Sequence, residues 1–133
     1  MSQTQGLTRS ELAVGLAIVV VVLAIGIDAY RQHVLRSRIE PVVAALAAAA
    51  DGMREHYRQH ATYAGGPCPA DTREFTMRCW HPLPDREQFR IEARGRGEFA
   101  AFSYRVDQSG RRESQTVWQD VQPCWIVARG GAC

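Results

Sequence analysis

The feature that most constrains this chain is "ELAVGLAIVVVVLAIGID", residues 11–28. Two acids, Glu11 and Asp28, bracket sixteen consecutive residues with no polar or charged side chain. A helix over those sixteen spans roughly 24 Å at 1.5 Å rise per residue, against about 30 Å of hydrocarbon in a bilayer. Leu7–Ser10 on one side and Ala29–Tyr30 on the other make up the difference. That places Glu11 just inside one edge of a membrane, where a charge is expensive: about 2.5–3.5 kcal/mol at a helix centre on translocon scales. The run therefore has to be explained together with its acid.

A cleaved secretory signal needs a basic stretch before the run and a small-residue cut site after it. The leader "MSQTQG" is uncharged, and "DAYRQHVLRSR" offers no A-x-A site, so removal of the whole segment is not expected. Arg9 on one side and Arg31, Arg36 and Arg38 on the other leave orientation open on charge alone. The cysteines favour one answer. Cys68, Cys79, Cys124 and Cys133 all lie beyond the run. An even number, wholly on one side of a membrane segment, fits disulfides in an oxidising compartment. Four cysteines allow three pairings, and the local set, Cys68–Cys79 with Cys124–Cys133, is favoured because it closes two short loops.

About 100 residues follow Tyr30, enough for one modest core. From Val34 to Met53 the apolar positions include Val34, Leu35, Ile39, Val42, Val43, Leu46, Ala47, Ala50 and Met53. Spacings of three and four recur, as an amphipathic helix requires. One long helix from about Thr8 to Gln59 is predicted, bent at Pro41, which cannot donate to the carbonyl of Ser37. The alternative is two helices meeting near Pro41. Residues 61–72 read as loop from their Gly and Pro content, with irregular chain continuing to about Arg86 through "HPLPD". Strands are expected at residues 88–94, 99–107 and 112–118, joined by turns at "GRGE" and "QSGR". A fourth short strand at "CWIVA" is an option.

The stretch "GLTRSELAVGLAIVVVVLAIGIDAY", residues 6–30, resembles the N-terminus of type IV pilins and their pseudopilin relatives. In that family a short leader ends in Gly, an apolar residue becomes the methylated N-terminus, and Glu stands fifth after the cut, ahead of a continuous apolar helix. Here Gly6 ends a six-residue leader, Leu7 follows and Glu11 is fifth. "AIGIDAY" stands where many pilins read alanine-isoleucine-proline-alanine-tyrosine. The resemblance is specific over residues 6–30 and looser to about residue 60.

The resemblance implies an α+β pilin fold, with a long N-terminal helix packed on a small antiparallel sheet. It implies a leader over residues 1–6, a transmembrane and filament-core half over 7–30, and a periplasmic head over 31–133. It implies cleavage between Gly6 and Leu7 by prepilin peptidase, methylation of Leu7, and pairing of Glu11 with the new α-amino group of Leu7 on a neighbouring subunit. Such pairing would reward the correct stagger, because an unmatched charge in an apolar bundle is costly. The plainer reading of Glu11 is a cap, or a side chain snorkelling at the membrane edge. The Cys124–Cys133 loop resembles the disulfide-bounded C-terminal loop of pilins, a surface loop that contributes to subunit or receptor contacts. Implied partners are other pilin subunits, the peptidase, an inner-membrane assembly platform, and the membrane before assembly. The place is the inner membrane with the head in the periplasm, then the pilus at the cell surface.

The chain departs from the family pattern at Asp28, which stands at the usual proline. Proline removes an amide hydrogen bond and kinks a helix; Asp does neither by force, while Gly26 weakens the helix by up to about 1 kcal/mol relative to Ala, so the sequence leaves both a straight and a kinked or melted segment open near Gly26 and Asp28. Other candidate chemistry is weak. His56 and His60 share a helix face, but no tight CxxC or HExxH accompanies them, so no metal is expected. Asp71, Glu74, Asp85 and Glu87 are too scattered for a calcium loop. The turn arginines in "RGRGE" and "GRR" invite DNA phosphates only in a nonspecific, salt-sensitive way, and solvated turn residues are the expectation. Trp80, Trp118 and Trp125 are expected in the head core or against the disulfides. No P-loop, dinucleotide fingerprint or nucleophile–base pattern occurs, so neither an enzyme nor a cofactor is expected. The expectation is a minor pilin, with a major pilin or a type II secretion pseudopilin as alternatives. The alternative of another class is a membrane-anchored periplasmic ligand-binding protein that never polymerises.

Overall fold

The computed structural model describes residues 8–81 and 87–133. One helix, α1, runs Arg9–His60, and four strands follow: β1 Phe75–Trp80, β2 Arg90–Gly95, β3 Ser103–Asp107 and β4 Arg112–Gln115. The strands form one antiparallel sheet in the order β1-β2-β3-β4. This is the α+β architecture expected. The chain divides into two compact units, Met1–Val34 and Leu35–Cys133.

In the first unit the described residues are helical from Arg9 onward, and α1 passes Gly26 and Asp28 without a break. Every residue of the apolar run is exposed. By length and composition this stretch is apolar enough to cross a membrane. Leaving apolar surface in water forgoes about 25 cal/mol per Å², so the run requires a partner of its own polarity.

In the second unit α1 continues through Pro41, as one helix rather than two. It buries Ile39, Val42, Leu46, Ala49, Ala50 and Met53, at the spacing of three and four that keeps one helical face inward. These join Phe75, Met77, Ile91, Ala93, Tyr104 and Val106 in a single core. Strand alternation puts those residues on one face. The register aligns Met77, Ala93, Tyr104 and Ser114 in one row across all four strands. The small Ala93 lies between two large side chains, so the row packs without overlap. Gly52 lacks a Cβ where one would come within 2.6 Å of Pro67, which lets the chain leaving the helix lie back on it.

Several strand limits differ from those read in the sequence. The span 61–86 is not irregular throughout, because β1 forms at Phe75–Trp80; "HPLPD" lies mostly outside the described residues. The strand expected at 99–107 begins only at Ser103. Phe99 and Phe102 are both buried while Ala100 and Ala101 are exposed, and that three-residue spacing suits the 3-10 turn at Gly97–Phe99. β4 stops at Gln115 because the Thr116 hydroxyl accepts from the amides of Trp118 and Gln119, 3.1 and 3.2 Å, which turns the chain. "CWIVA" forms no strand. Ser114 and Gln122 make one isolated bridge, and Pro123 then has no N–H to continue a ladder.

Candidate functional site

The Gly6–Leu7 cleavage site and the methylation position lie outside the described residues. The acid that follows them is well defined. Thr8 N–H donates to Glu11 Oε2 at 3.1 Å, and Glu11 N–H donates to Thr8 Oγ1 at 3.2 Å. This reciprocal pair is a capping box, in which Thr8 caps the helix and the Glu three residues on closes back to it. A carboxylate at a helix N-terminus is also favoured by the macrodipole. Glu11 thus has a partner within its own chain, held one residue beyond Leu7. The T-x-x-E spacing signals this arrangement in the sequence.

At the other end of the chain, two disulfides join Cys68 to Cys79 and Cys124 to Cys133. The second closes a loop that is also tied down by polar contacts. Ser114 is buried; its hydroxyl donates to the Cys124 carbonyl at 2.5 Å and accepts from Ile126 N–H at 3.0 Å. Tyr104, fully buried, donates its hydroxyl to the Ile126 carbonyl at 2.7 Å. Burial pushes the Tyr104 phenol well above its usual range, so it stays a donor. Gln119 Nε2 donates to the Gly131 carbonyl at 2.6 Å. The terminal loop is therefore fastened to β3 through Tyr104, to β4 through Ser114 and to the turn after β4 through Gln119, besides its disulfide. Sequence reading missed Ser114, since a lone Ser in a strand carries no signal.

The remaining candidates are used in the head's own packing. His56 Nε2–H donates to the Ala64 carbonyl at 2.9 Å, and His60 stacks on His56 with ring centroids 4.3 Å apart. No cluster able to hold a metal ion occurs among the described residues. The turn arginines are engaged. Arg94 pairs with Glu92 at 3.1 Å, Arg96 donates to the carbonyls of Thr72 and Arg73, and Arg112 lies over the Trp125 ring at 4.1 Å. Trp118 packs edge-on against Phe102. Trp80 departs from expectation: it is 56 % exposed, because it points from the outer face of β1, with Arg90 over its ring at 5.0 Å.

The fourth turn arginine, Arg111, belongs to the β3–β4 turn. The Asp107 carboxylate there accepts from Ser109 Oγ at 2.5 Å and from the amides of Ser109 and Arg111 at 2.9 and 3.1 Å. Partial burial pushes this carboxyl up, but those hydrogen bonds and the Arg111 charge outweigh it and hold it below its usual value. A lowered pKa stabilises the fold above the usual Asp value, and that contribution fades as pH falls through the lower, folded value. Unfolding free energies of wild type and Asp107→Asn, measured against pH, are therefore expected to differ at neutral pH and to converge below about pH 4.

With this geometry in hand, the fold is recognisable among solved structures. The chain superposes on a type IV pilin from Shewanella oneidensis with a TM-score of 0.52 and 18 % identity, covering 58 % of this chain and 88 % of that one. It also superposes on the Neisseria meningitidis non-core minor pilin PilV with a TM-score of 0.51 and 17 % identity, covering 67 % of this chain and 94 % of that one. No family model matches the sequence, and no curated protein matches it significantly. The chain therefore has the type IV pilin fold: a long N-terminal helix packed on a four-stranded antiparallel sheet.

Proposed function

We propose that this chain is a structural subunit of a type IV pilus, and a minor pilin among such subunits. The observation that carries the reading is one continuous helix of two characters. Its first half is apolar, exposed and headed by Glu11; its second half is the core of a head with the pilin fold. An exposed apolar half suits a membrane anchor first and a filament core afterwards. Cleavage after Gly6 would create an amino group on Leu7, and Glu11 would pair with that group on a neighbouring subunit once both leave water. The choice of a minor pilin rests on Asp28 in place of the usual proline, the arginine-rich head and its two disulfides. In this reading the chain primes or joins the fibre, supports adhesion, twitching motility or DNA uptake, and catalyses nothing. Prepilin peptidase and the inner-membrane platform are its assembly partners.

The capping box supports a second reading. Because Thr8 already satisfies Glu11, the chain would be stable as a single-pass periplasmic protein that never polymerises. Shearing filaments from cells and probing both fractions separates the two. A filament subunit is recovered with the sheared fibres; a chain found wholly in the membrane fraction overturns the proposal.

A further inference from the structure

Strand alternation gives the face of the sheet opposite the core to Arg78 and Trp80 of β1, Arg90 and Glu92 of β2, and Arg105 and Asp107 of β3. The register sets them in two rows, Trp80–Arg90–Asp107 and Arg78–Glu92–Arg105. Part of this charge is matched locally. Glu92 pairs with Arg94 at 3.1 Å, and Arg105 stands 4.0 Å from Glu113. Arg78 has no carboxylate within ion-pair distance among the described residues. The Arg90 guanidinium lies over the Trp80 ring, 5.0 Å from its centroid. Stacking uses the flat face of a guanidinium and leaves its N–H donors in the plane, where they can meet an acceptor. Trp80 itself stays more than half exposed. A groove of about 580 Å³ is lined by Arg78, Trp80, Arg90 and Glu92, with Met77 and Cys79 beside them, within the about 300–1,000 Å³ usual for small-ligand sites. A smaller depression that shares Trp80 and Arg90 adds Gln88, Asp107 and Gln108. An exposed tryptophan beside arginines is the composition of binding hot spots.

We propose that this face binds an acidic polysaccharide through its hexuronate units. A pyranose has a C–H face, a rim of hydroxyls and, in a uronate, one carboxylate. The groove holds a counterpart for each. The Trp80 ring offers an apolar surface to the C–H face. Gln88, Gln108, Asp107 and the second oxygen of Glu92 supply donors and acceptors to the hydroxyls. Arg78 and Arg90 present the paired N–H groups that match a carboxylate. Charge selects this class over a nucleic acid. Glu92 and Asp107 stand among the arginines, and a strand with a phosphate at every unit would meet them with like charge. Base stacking also needs successive rings, and among the described strand residues this face offers Trp80 alone. A polymer with one carboxylate per sugar can set that group by Arg78 and Arg90 and turn hydroxyls to the acids. The proposal goes beyond the filament reading and holds whether or not the chain polymerises through its helix.

The test uses the full chain in detergent micelles, titrated calorimetrically with a galacturonate oligomer and with its methyl ester, which keeps the rings and removes the charges. The acid form is expected to bind at least about tenfold more tightly than the ester, since the ester forfeits the charge-assisted bonds to arginine. Trp80→Ala and the double variant Arg78→Gln/Arg90→Gln are each expected to weaken the acid form by at least about tenfold. No binding of the acid form, equal affinity for acid and ester, or wild-type affinity in Trp80→Ala would each overturn the proposal. Tighter binding of an oligodeoxythymidylate, lost in the same variants, would overturn it too and assign the face to single-stranded nucleic acid. Should Trp80→Ala disturb β1, the double arginine variant, altered only at exposed side chains, decides the matter.

Discussion

Glu11→Ala is expected to leave the chain cleaved and inserted in the membrane, and to exclude it from filaments. The reasoning is one of unequal losses. In the free chain the substitution removes one side of the capping box with Thr8, and loss of a cap costs about 0.5–2 kcal/mol. In a filament it would strand the neighbouring subunit's amino group in an apolar bundle. Breaking a buried pair by removing one partner costs about 3–5 kcal/mol, and each 1.4 kcal/mol is about tenfold in an equilibrium constant. Recovery in sheared fibres should therefore fall by roughly 100-fold or more, with the membrane pool intact. Thr8→Ala is the control, because it removes the cap and keeps the carboxylate. Incorporation should survive that change. If both variants enter filaments normally, Glu11 is a cap and nothing else.

Gly95→Ala is expected to have the largest effect within the head. Gly95 ends β2 opposite Phe75, and its N–H donates to the Phe102 carbonyl at 2.9 Å. A Cβ at Gly95 would sit 1.7 Å from the Phe99 carbonyl oxygen. That obstacle is backbone, so no side-chain rotation relieves it. The 3-10 turn would have to move, and Phe99 and Phe102 would leave the core with it. The loss should reach or exceed the upper end of the about 1–3 kcal/mol typical of overpacking. Gly97→Ala gives the comparison. Its φ is +59 and nothing lies within 4 Å of its absent Cβ, so only backbone strain of about 1–2 kcal/mol applies. Denaturant midpoints followed by tryptophan fluorescence should rank wild type above Gly97→Ala, and Gly97→Ala well above Gly95→Ala. Equal midpoints for the two variants would show that the turn gives way.

The contrast between these glycines also shows where the sequence stops being legible. Both stand in "GRGE", and nothing local distinguishes the one that must lie against backbone from the one that only needs a positive φ. The helix was legible because its apolar residues repeat at three and four from Val34 to Met53, which no loop does. β1 was hidden by its surroundings. Its inward residues Phe75, Met77 and Cys79 do alternate, but an outward Trp80 blurs the pattern, and the Pro-rich stretches on both sides read as loop. The end of β4 depended on the Thr116 hydroxyl, and the failure of "CWIVA" to pair depended on Pro123 and Ser114; both are decided by tertiary partners. At the candidate site a cap was only the plainer reading of Glu11, and its partner Thr8 went unread although the T-x-x-E spacing signals it. The hydrogen bonds from the Phe75 and Met77 amides to Thr72 Oγ1 and Asp71 Oδ1 needed the tertiary fold, which no local pattern supplies.

The central claim is that the chain becomes a filament subunit by losing its leader and keeping its apolar helix. Intact-mass measurement of the chain recovered from sheared filaments tests it most directly. The account predicts a single species that begins at Leu7, carries one added methyl group there, and retains both disulfides. A chain that still begins at Met1, or one absent from the filaments while abundant in the membrane, would contradict it.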